Sequence, residues 1–431
     1  MPKLHAFPAV RYATDSGDIS SRIAPPYDVL DEGPKQTLLA RDPHNIVAID
    51  LPVTPPKTVG PDEAYHAAGH AYRQWMSEGV FERDNTPTLF AYEQQYTVAG
   101  RELKRRGLFT ALGVEDFNRP NGGIFRHEHT LSGGTSDRLK LMNATAAQLS
   151  PVFGTFDDPA HRVADLLDET FKGEPDFRGI TDHDNVIHRC WAVRDETTIA
   201  ALAEFFEPTD VFIADGHHRY TTALNYAREH PDQPHAQTCL FVLVPSSDPG
   251  LIVLPTHRVL CDLVDFDMAG LLDVLADDDR FKVTPTYHGG DALPHMLDEL
   301  PETPYHAFGL YDPKRGKTYI VNTIDADPLA DLMPDRDPVW RQLDVAVFHH
   351  LFVDQIVRPR FGGDAINYKY PHQLTELVRL SHDQPGRLGI AMQATPLKSV
   401  CDVARAGEVM PPKSTFFFPK LATGLVINPL D

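Results

Sequence analysis

Apolar residues recur along the chain with two periods, and the places where one gives way to the other mark the elements. Short apolar runs read as strands: Leu89-Phe90-Ala91-Tyr92 and Leu108-Phe109-Thr110-Ala111-Leu112 flank a turn at Gly100. Ile46-Val47-Ala48-Ile49, Leu240-Phe241-Val242-Leu243-Val244, Leu251-Ile252-Val253-Leu254, Tyr319-Ile320-Val321 and Phe416-Phe417-Phe418 read the same way. A helical period appears at Ala64, Ala68, Ala71, Tyr72, Trp75 and Met76, with Asp62 as cap and Gly79 as terminator. A second helix runs through Leu139, Met142, Ala146 and Leu149, capped by Ser136 or Asp137, with Arg138 in its first turn. Further helices are expected near residues 159 to 172 and 196 to 206. From Leu343 to Ile356 a helix turns Val347, Phe348, Leu351, Phe352 and Ile356 inward, with His349 and His350 at the edge of the stripe. The four prolines from Pro52 to Pro61 make that segment a loop. Interleaved strands and helices predict a mixed α/β (α+β) fold.

One junction combines this pattern with chemistry. Val211-Phe212-Ile213-Ala214 reads as a buried strand, Asp215-Gly216 breaks it, and Tyr220, Ala223, Leu224 and Ala227 begin a helical period. The first N–H groups of such a helix have no intrahelical partner and lie at the positive end of its dipole, which suits an anion. On this turn Arg219 can grip two oxygens of a phosphate, and His217 and His218 can donate hydrogen bonds or move protons. The plainer alternative makes Asp215 a helix cap and Gly216 a residue of positive φ.

Composition narrows the function classes. A chain of 431 residues implies two domains or one elaborated domain, and acidic sequence after residue 262 places the expected division at 1–265 and 266–431. A net charge of −21 excludes a nucleic-acid backbone as partner and favours a small anionic ligand held in a local positive pocket. Cys190, Cys239, Cys261 and Cys401 are far apart and read as reduced thiols. There is no apolar leader and no apolar run of membrane-spanning length, so no membrane partner and a cytoplasmic location are expected.

Other polar clusters are candidates for the same site. Adjacent prolines in Ile23-Ala24-Pro25-Pro26-Tyr27-Asp28-Val29 hold Tyr27 and Asp28 on a rigid extended segment. In Arg126-His127-Glu128-His129-Thr130 an extended backbone turns His127 and His129 the same way, but no spacing supplies a third metal ligand, and no metal is assigned. His257 and Arg258 end the strand that begins at Leu251. Gly407 to Thr415 imitates a Walker loop, but Pro412 lacks the N–H that would cradle phosphate, leaving Lys413, Ser414 and Lys420 as anion contacts.

Ala24-Pro25-Pro26-Tyr27-Asp28-Val29, His127-Glu128 with Asp137-Arg138-Leu139, Ala214 to Tyr220, Pro255-Thr256-His257-Arg258 and Gly407 to Gly424 together resemble the prokaryotic family known as domain of unknown function 1015. The chain departs from the family between Thr130 and Asp137, where Gly133-Gly134-Thr135-Ser136 replaces the usual Pro-Lys pair. More distantly, the Asp-Gly-His-His-Arg turn is similar to the phosphate-binding turn of the ParB/sulfiredoxin-like superfamily, which includes free-serine kinases. The resemblance implies a strand-turn-helix core of that kind with elaborations and a second mixed lobe. It also implies phosphoryl transfer on a small anionic metabolite, serine or phosphoserine, with ATP or ADP and Mg²⁺ as cofactor. In that reading Gly216, His218, Arg219 and Tyr220 cradle the phosphate, and Arg138, His257, Arg258, Lys413 and Ser414 are further contacts to it. Asp215, Asp28 or Glu128 takes the proton of the attacking hydroxyl or binds Mg²⁺, and His217 or His218 assists as acid. The alternatives are a non-catalytic nucleotide or metabolite sensor, and a metal-dependent hydrolase using His127, His129 and His217. Neither the direction of transfer nor the oligomeric state is fixed by these residues.

Overall fold

Ala99 and Gly100 both take positive φ, 49° and 75°, and this two-residue turn closes a long hairpin in which Val98 faces Arg101 and Phe90 faces Phe109. The hairpin is the middle of the larger sheet in a computed structural model that describes residues 2–119, 122–288, 292–363 and 365–431. The chain forms two compact units, residues 1–252 with 417–431, and residues 253–416. Among the described residues no helix is long and apolar enough to cross a membrane.

The first unit is built on a mixed nine-stranded sheet. Its order runs Ile124–Phe125, Val211–Asp215, Val152–Phe156, Thr238–Pro245, Arg101–Gly113, Leu89–Val98, Val186–Val193 and Phe177–Thr181, with Leu4–His5 pairing beside Arg101–Gly113. Val211–Asp215 is parallel to Ile124–Phe125 and antiparallel to Val152–Phe156. An interior strand of this kind is covered on both faces, which is why Val211 to Ala214 is a continuous apolar run. Its helix, His217–Glu229, packs on the helix Ser132–Thr145 and closes a core that includes Val211, Ile213, Tyr220, Ala223, Phe241 and Leu243.

The second unit carries an antiparallel six-stranded sheet, in the order Phe281–His288, Lys317–Thr323, Ala307–Asp312, Leu388–Ala391, Arg258–Cys261 and Asn367–Lys369. Val259, Leu293, Met296, Leu300, Ile320, Leu377 and Ala391 form its core. Both units are mixed α/β.

Three local expectations are corrected. Ile46 to Ile49 is not a strand: Val47–Asp50 is a helical turn, because Asn45 Oδ1 accepts from Val47 N at 3.1 Å while its amide is tied to the carbonyls of Ser21 and Ile23. The helix expected to start at Ser136 or Asp137 starts at Ser132, so Arg138 lies beyond its first turn, facing the interior. The stripe from Val347 to Ile356 is buried as expected, but Phe348–Val357 winds as a π-helix rather than an α-helix.

Candidate functional site

The strand Val211–Asp215 shifts register between Ile213, which faces Gly154, and Asp215, which faces Phe153, so Ala214 is the extra residue and Asp215 is still held by the ladder at the strand's C-terminal end. Gly216 then takes φ 95° and no side chain caps the helix that follows, so the helix N-terminus opens at the turn. A β-carbon on Gly216 would also lie 3.0 Å from Arg219 Nε. The glycine therefore lets the Arg219 guanidinium fold back over the turn.

Asp215 is the organising carboxylate. Its Oδ2 accepts from Arg219 at 2.8 Å and its Oδ1 from Lys420 Nζ at 3.0 Å. Burial pushes this carboxyl up, but Lys420 and Arg219 override the push and hold it well below the usual carboxylate range. Lys420 is brought here by the C-terminal segment, whose main chain is gripped by the sheet: Gln94 donates to Lys420 O at 3.0 Å and Arg105 to Pro419 O at 2.6 Å. Arg219 also donates to the carbonyl of Pro151 and is buried. Its expected direct grip on a phosphate is thus replaced, in this structure, by a clamp on Asp215 and the main chain.

The histidines line the mouth of the turn. His218 Nε2 accepts from Leu131 N at 2.9 Å. Gly134 allows this approach, since a β-carbon there would come within 2.9 Å of the His218 ring. His217 Nε2 faces His127 N at 3.4 Å, its Nδ1 lies 3.6 Å from Glu128 Oε2, and its ring meets that of His127 edge-on at 4.6 Å. Burial lowers both His217 and His218, helped by His127 for the first and Lys57 for the second. The acid role expected of them is therefore replaced by that of neutral hydrogen-bonding groups near neutral pH.

Asp28 belongs to the same mouth. The Pro25-Pro26 segment leads into a short 3-10 turn, Tyr27–Val29, and Asp28 Oδ2 pairs with Lys57 Nζ at 3.1 Å. Its charge is felt at both His218 and Arg219. The pattern of residues did not single out Lys57, which sits at positive φ in the proline-rich loop.

Behind the turn lies a buried ionic layer. Arg138 donates to Asp137 Oδ2 at 2.8 Å and to Asp50 O at 2.6 Å, and its guanidinium stacks 3.9 Å from the centre of the Tyr27 ring. Asp137 accepts from Tyr65 OH at 2.7 Å, and Asp50 from Ser150 at 2.9 Å. Arg138, Asp50, Ser150, Tyr27 and Arg219 line one cavity of about 40 Å³, room for one or two waters. Arg138 is thus placed to support Tyr27 and Asp50 rather than to reach a ligand in the mouth.

Tyr220 is corrected outright: it is fully buried and its hydroxyl donates to Glu115 O at 2.7 Å, so it is scaffold. His257, Arg258, Lys413 and Ser414 lie in the second unit, where His257 Nδ1 accepts from Met392 N at 3.1 Å and Arg258 donates to Lys413 O at 2.9 Å. Among the described residues no three His, Cys, Asp or Glu side chains are grouped to hold a metal, and His129 is exposed. The four cysteines are all buried.

His127 gives the first testable consequence. Burial lowers it from 6.5 to about 4. Because the folded value is the lower one, the unfolded chain binds the proton more tightly between those limits, and stability is lost as pH falls through that window. This one ring is expected to remove about 3 kcal/mol by pH 4. Urea unfolding at pH 7 and pH 4 should show His127→Gln losing less on acidification than wild type by about that amount; an equal loss in both would show that His127 is not a buried neutral group.

Comparison with solved structures finds distant likenesses. A free serine kinase variant in complex with ADP shares 12% identity over 72% of this chain and 87% of its own, with a TM-score of 0.33. A conserved hypothetical protein from Pyrococcus furiosus shares 14% over 73% and 92%, with a TM-score of 0.31. SbnI with C-terminal truncation from Staphylococcus aureus shares 11% over 70% and 83%, with a TM-score of 0.32. A search of curated proteins finds no match. A family model described as protein of unknown function matches residues 4–346, and the chain belongs to that family, DUF1015.

Proposed function

We propose that this protein transfers a phosphoryl group to or from serine at the mouth of the Asp215 turn. The observation that carries the reading is the uncapped N-terminus of the helix His217–Glu229, set beside Lys420 and Arg219, both anchored on Asp215. Phosphoryl transfer needs positioning and charge neutralisation more than covalent chemistry, and this arrangement supplies both. Two cations share one partly buried carboxylate, which leaves the turn able to offset a ligand's negative charge. Serine or phosphoserine as the substrate rests on the family-level resemblance of the motifs.

Asp215, held deprotonated by its two cations, is an anchor and a poor base. Asp28 and Glu128, both partly exposed, are the carboxylates proposed to accept the hydroxyl proton. With Asp215 and Asp28 each already carrying a cation, the mouth suits phosphate oxygens better than a bare divalent ion. Mg²⁺ bound to a nucleotide would neutralise phosphate charge there, with Glu128 as the carboxylate to meet it.

Thermal unfolding with ADP, ATP, phosphoserine, serine and inorganic phosphate tests the binding half of this proposal. A ligand present at 100 times its Kd raises stability by about 2.7 kcal/mol, so a phosphorylated ligand is expected to raise Tm measurably. No shift with any of the five at millimolar concentration would remove the proposal.

A further inference from the structure

In the second unit one buried cation has no carboxylate hydrogen-bonded to it among the described residues. Arg258 is 2% exposed. Its terminal nitrogens donate to the carbonyls of Thr256 and Lys413, and Nε has no hydrogen-bond partner among the described residues. Carbonyls satisfy N–H groups without neutralising a charge, and burying an uncompensated charge is costly. Burial accordingly lowers Arg258 to about 10, with only Tyr370 and Tyr368 opposing it.

Arg258 lines a cavity of about 290 Å³ whose other polar walls include Ser399, Thr395, Gln393, His306 and Asp344. That is near the lower end of small-molecule sites, about 300–1,000 Å³. Pro396 and Ser399 bring to the same cavity the N-terminus of the nine-residue helix Leu397–Arg405. No side chain caps this helix, and its first internal bond is Val400 N to Pro396 O. The N–H groups of residues 397 to 399 and the dipole's positive end therefore point toward the end of the helix that Pro396 and Ser399 bring to the wall. The one carboxylate of the lining is hydrogen-bonded to a wall group other than Arg258: Asp344 Oδ1 lies 2.8 Å from His306 Nδ1, while His306 Nε2 faces Ala326 O at 3.2 Å. Arg258 remains as the unmatched charge.

We propose that the second unit binds a small oxyanion, a carboxylate or a phosphate ester, between Arg258 and the N-terminus of helix Leu397–Arg405. The site is independent of the Asp215 turn, since every residue that lines it belongs to residues 253–416. The ligand's oxygens receive the N–H groups of residues 397 to 399 and the Ser399 hydroxyl, and its charge offsets that of Arg258.

The test uses the full chain carrying Lys420→Met, which weakens the proposed first site, titrated calorimetrically with inorganic phosphate and separately with succinate. One of the two probes is expected to bind, and which one does separates phosphate from carboxylate. Adding Ser399→Asp, which suits a helix N-terminus but repels an anion, should weaken binding about tenfold or more. Adding Asp344→Asn instead removes the lining's negative charge and should tighten binding. Absence of binding by both probes in the Lys420→Met chain overturns the proposal, whatever the wild type binds at the turn. So does a Kd unchanged by Ser399→Asp in a chain that melts normally. Should Ser399→Asp disturb folding, weakened or unchanged binding in Asp344→Asn overturns it equally.

Discussion

Arg138→Met is expected to cost about 3–5 kcal/mol of stability, the largest effect of any single substitution considered, because it leaves two carboxylates buried without their cation. Asp137 is 2% exposed and Asp50 4%, and both bond the Arg138 guanidinium. Burial already pushes the Asp50 carboxyl above 3.8, with Arg138 opposing the push. A carboxyl whose folded value lies above its unfolded one is more costly as pH rises through that interval, so removing Arg138 should hurt most at neutral pH. The gap between variant and wild type should narrow as pH falls toward 3.8 and Asp50 takes up a proton. Denaturant unfolding at pH 7 and pH 4.5 reads this directly; a variant within 1 kcal/mol of wild type at pH 7 would show the layer to be solvated instead.

Lys420→Met is expected to lower the proposed phosphoryl transfer by about 100- to 1,000-fold while leaving the protein folded. Lys420 is about one-fifth exposed, so its loss strands less buried charge than loss of Arg138. It removes one of the two cations on Asp215, and the carboxyl should rise toward its ordinary range. Lys420→Arg keeps the charge and should recover part of the rate. Activity of Lys420→Met equal to wild type would place the reacting phosphate elsewhere.

The strand, turn and helix from Val211 to Glu229 were legible because their signals are local: an apolar run, an Asp-Gly break and a change to helical period. Asp215, Gly216, His217, His218 and Arg219 follow from that reading, with Asp28 from its paired prolines. What the pattern could not show is where long side chains turn. Arg219 reads as a ligand-facing fork, yet Gly216 leaves room for it to fold inward onto Asp215. Asp50 was hidden in a segment that resembled a strand, and its partner Arg138 is 88 residues away. The early start of the helix Ser132–Thr145 was masked by Gly133-Gly134, poor helix formers kept because Gly134 makes room for the His218 ring. Lys57 sat in a loop that read only as proline-rich, and Tyr220, placed by adjacency with the phosphate ligands, belongs to the core.

The most direct test of the proposed activity is ³¹P NMR of wild-type protein with Mg²⁺, serine and either ATP or ADP, and in the reverse sense with phosphoserine alone or with ADP or AMP. The expected result is gain or loss of the phosphoserine resonance in at least one mixture, abolished in a folded Gly216→Ala variant, whose new β-carbon is strained at φ 95° and meets the Arg219 guanidinium. Absence of any change in all these mixtures with wild-type protein would contradict phosphoryl transfer to or from serine at the Asp215 turn.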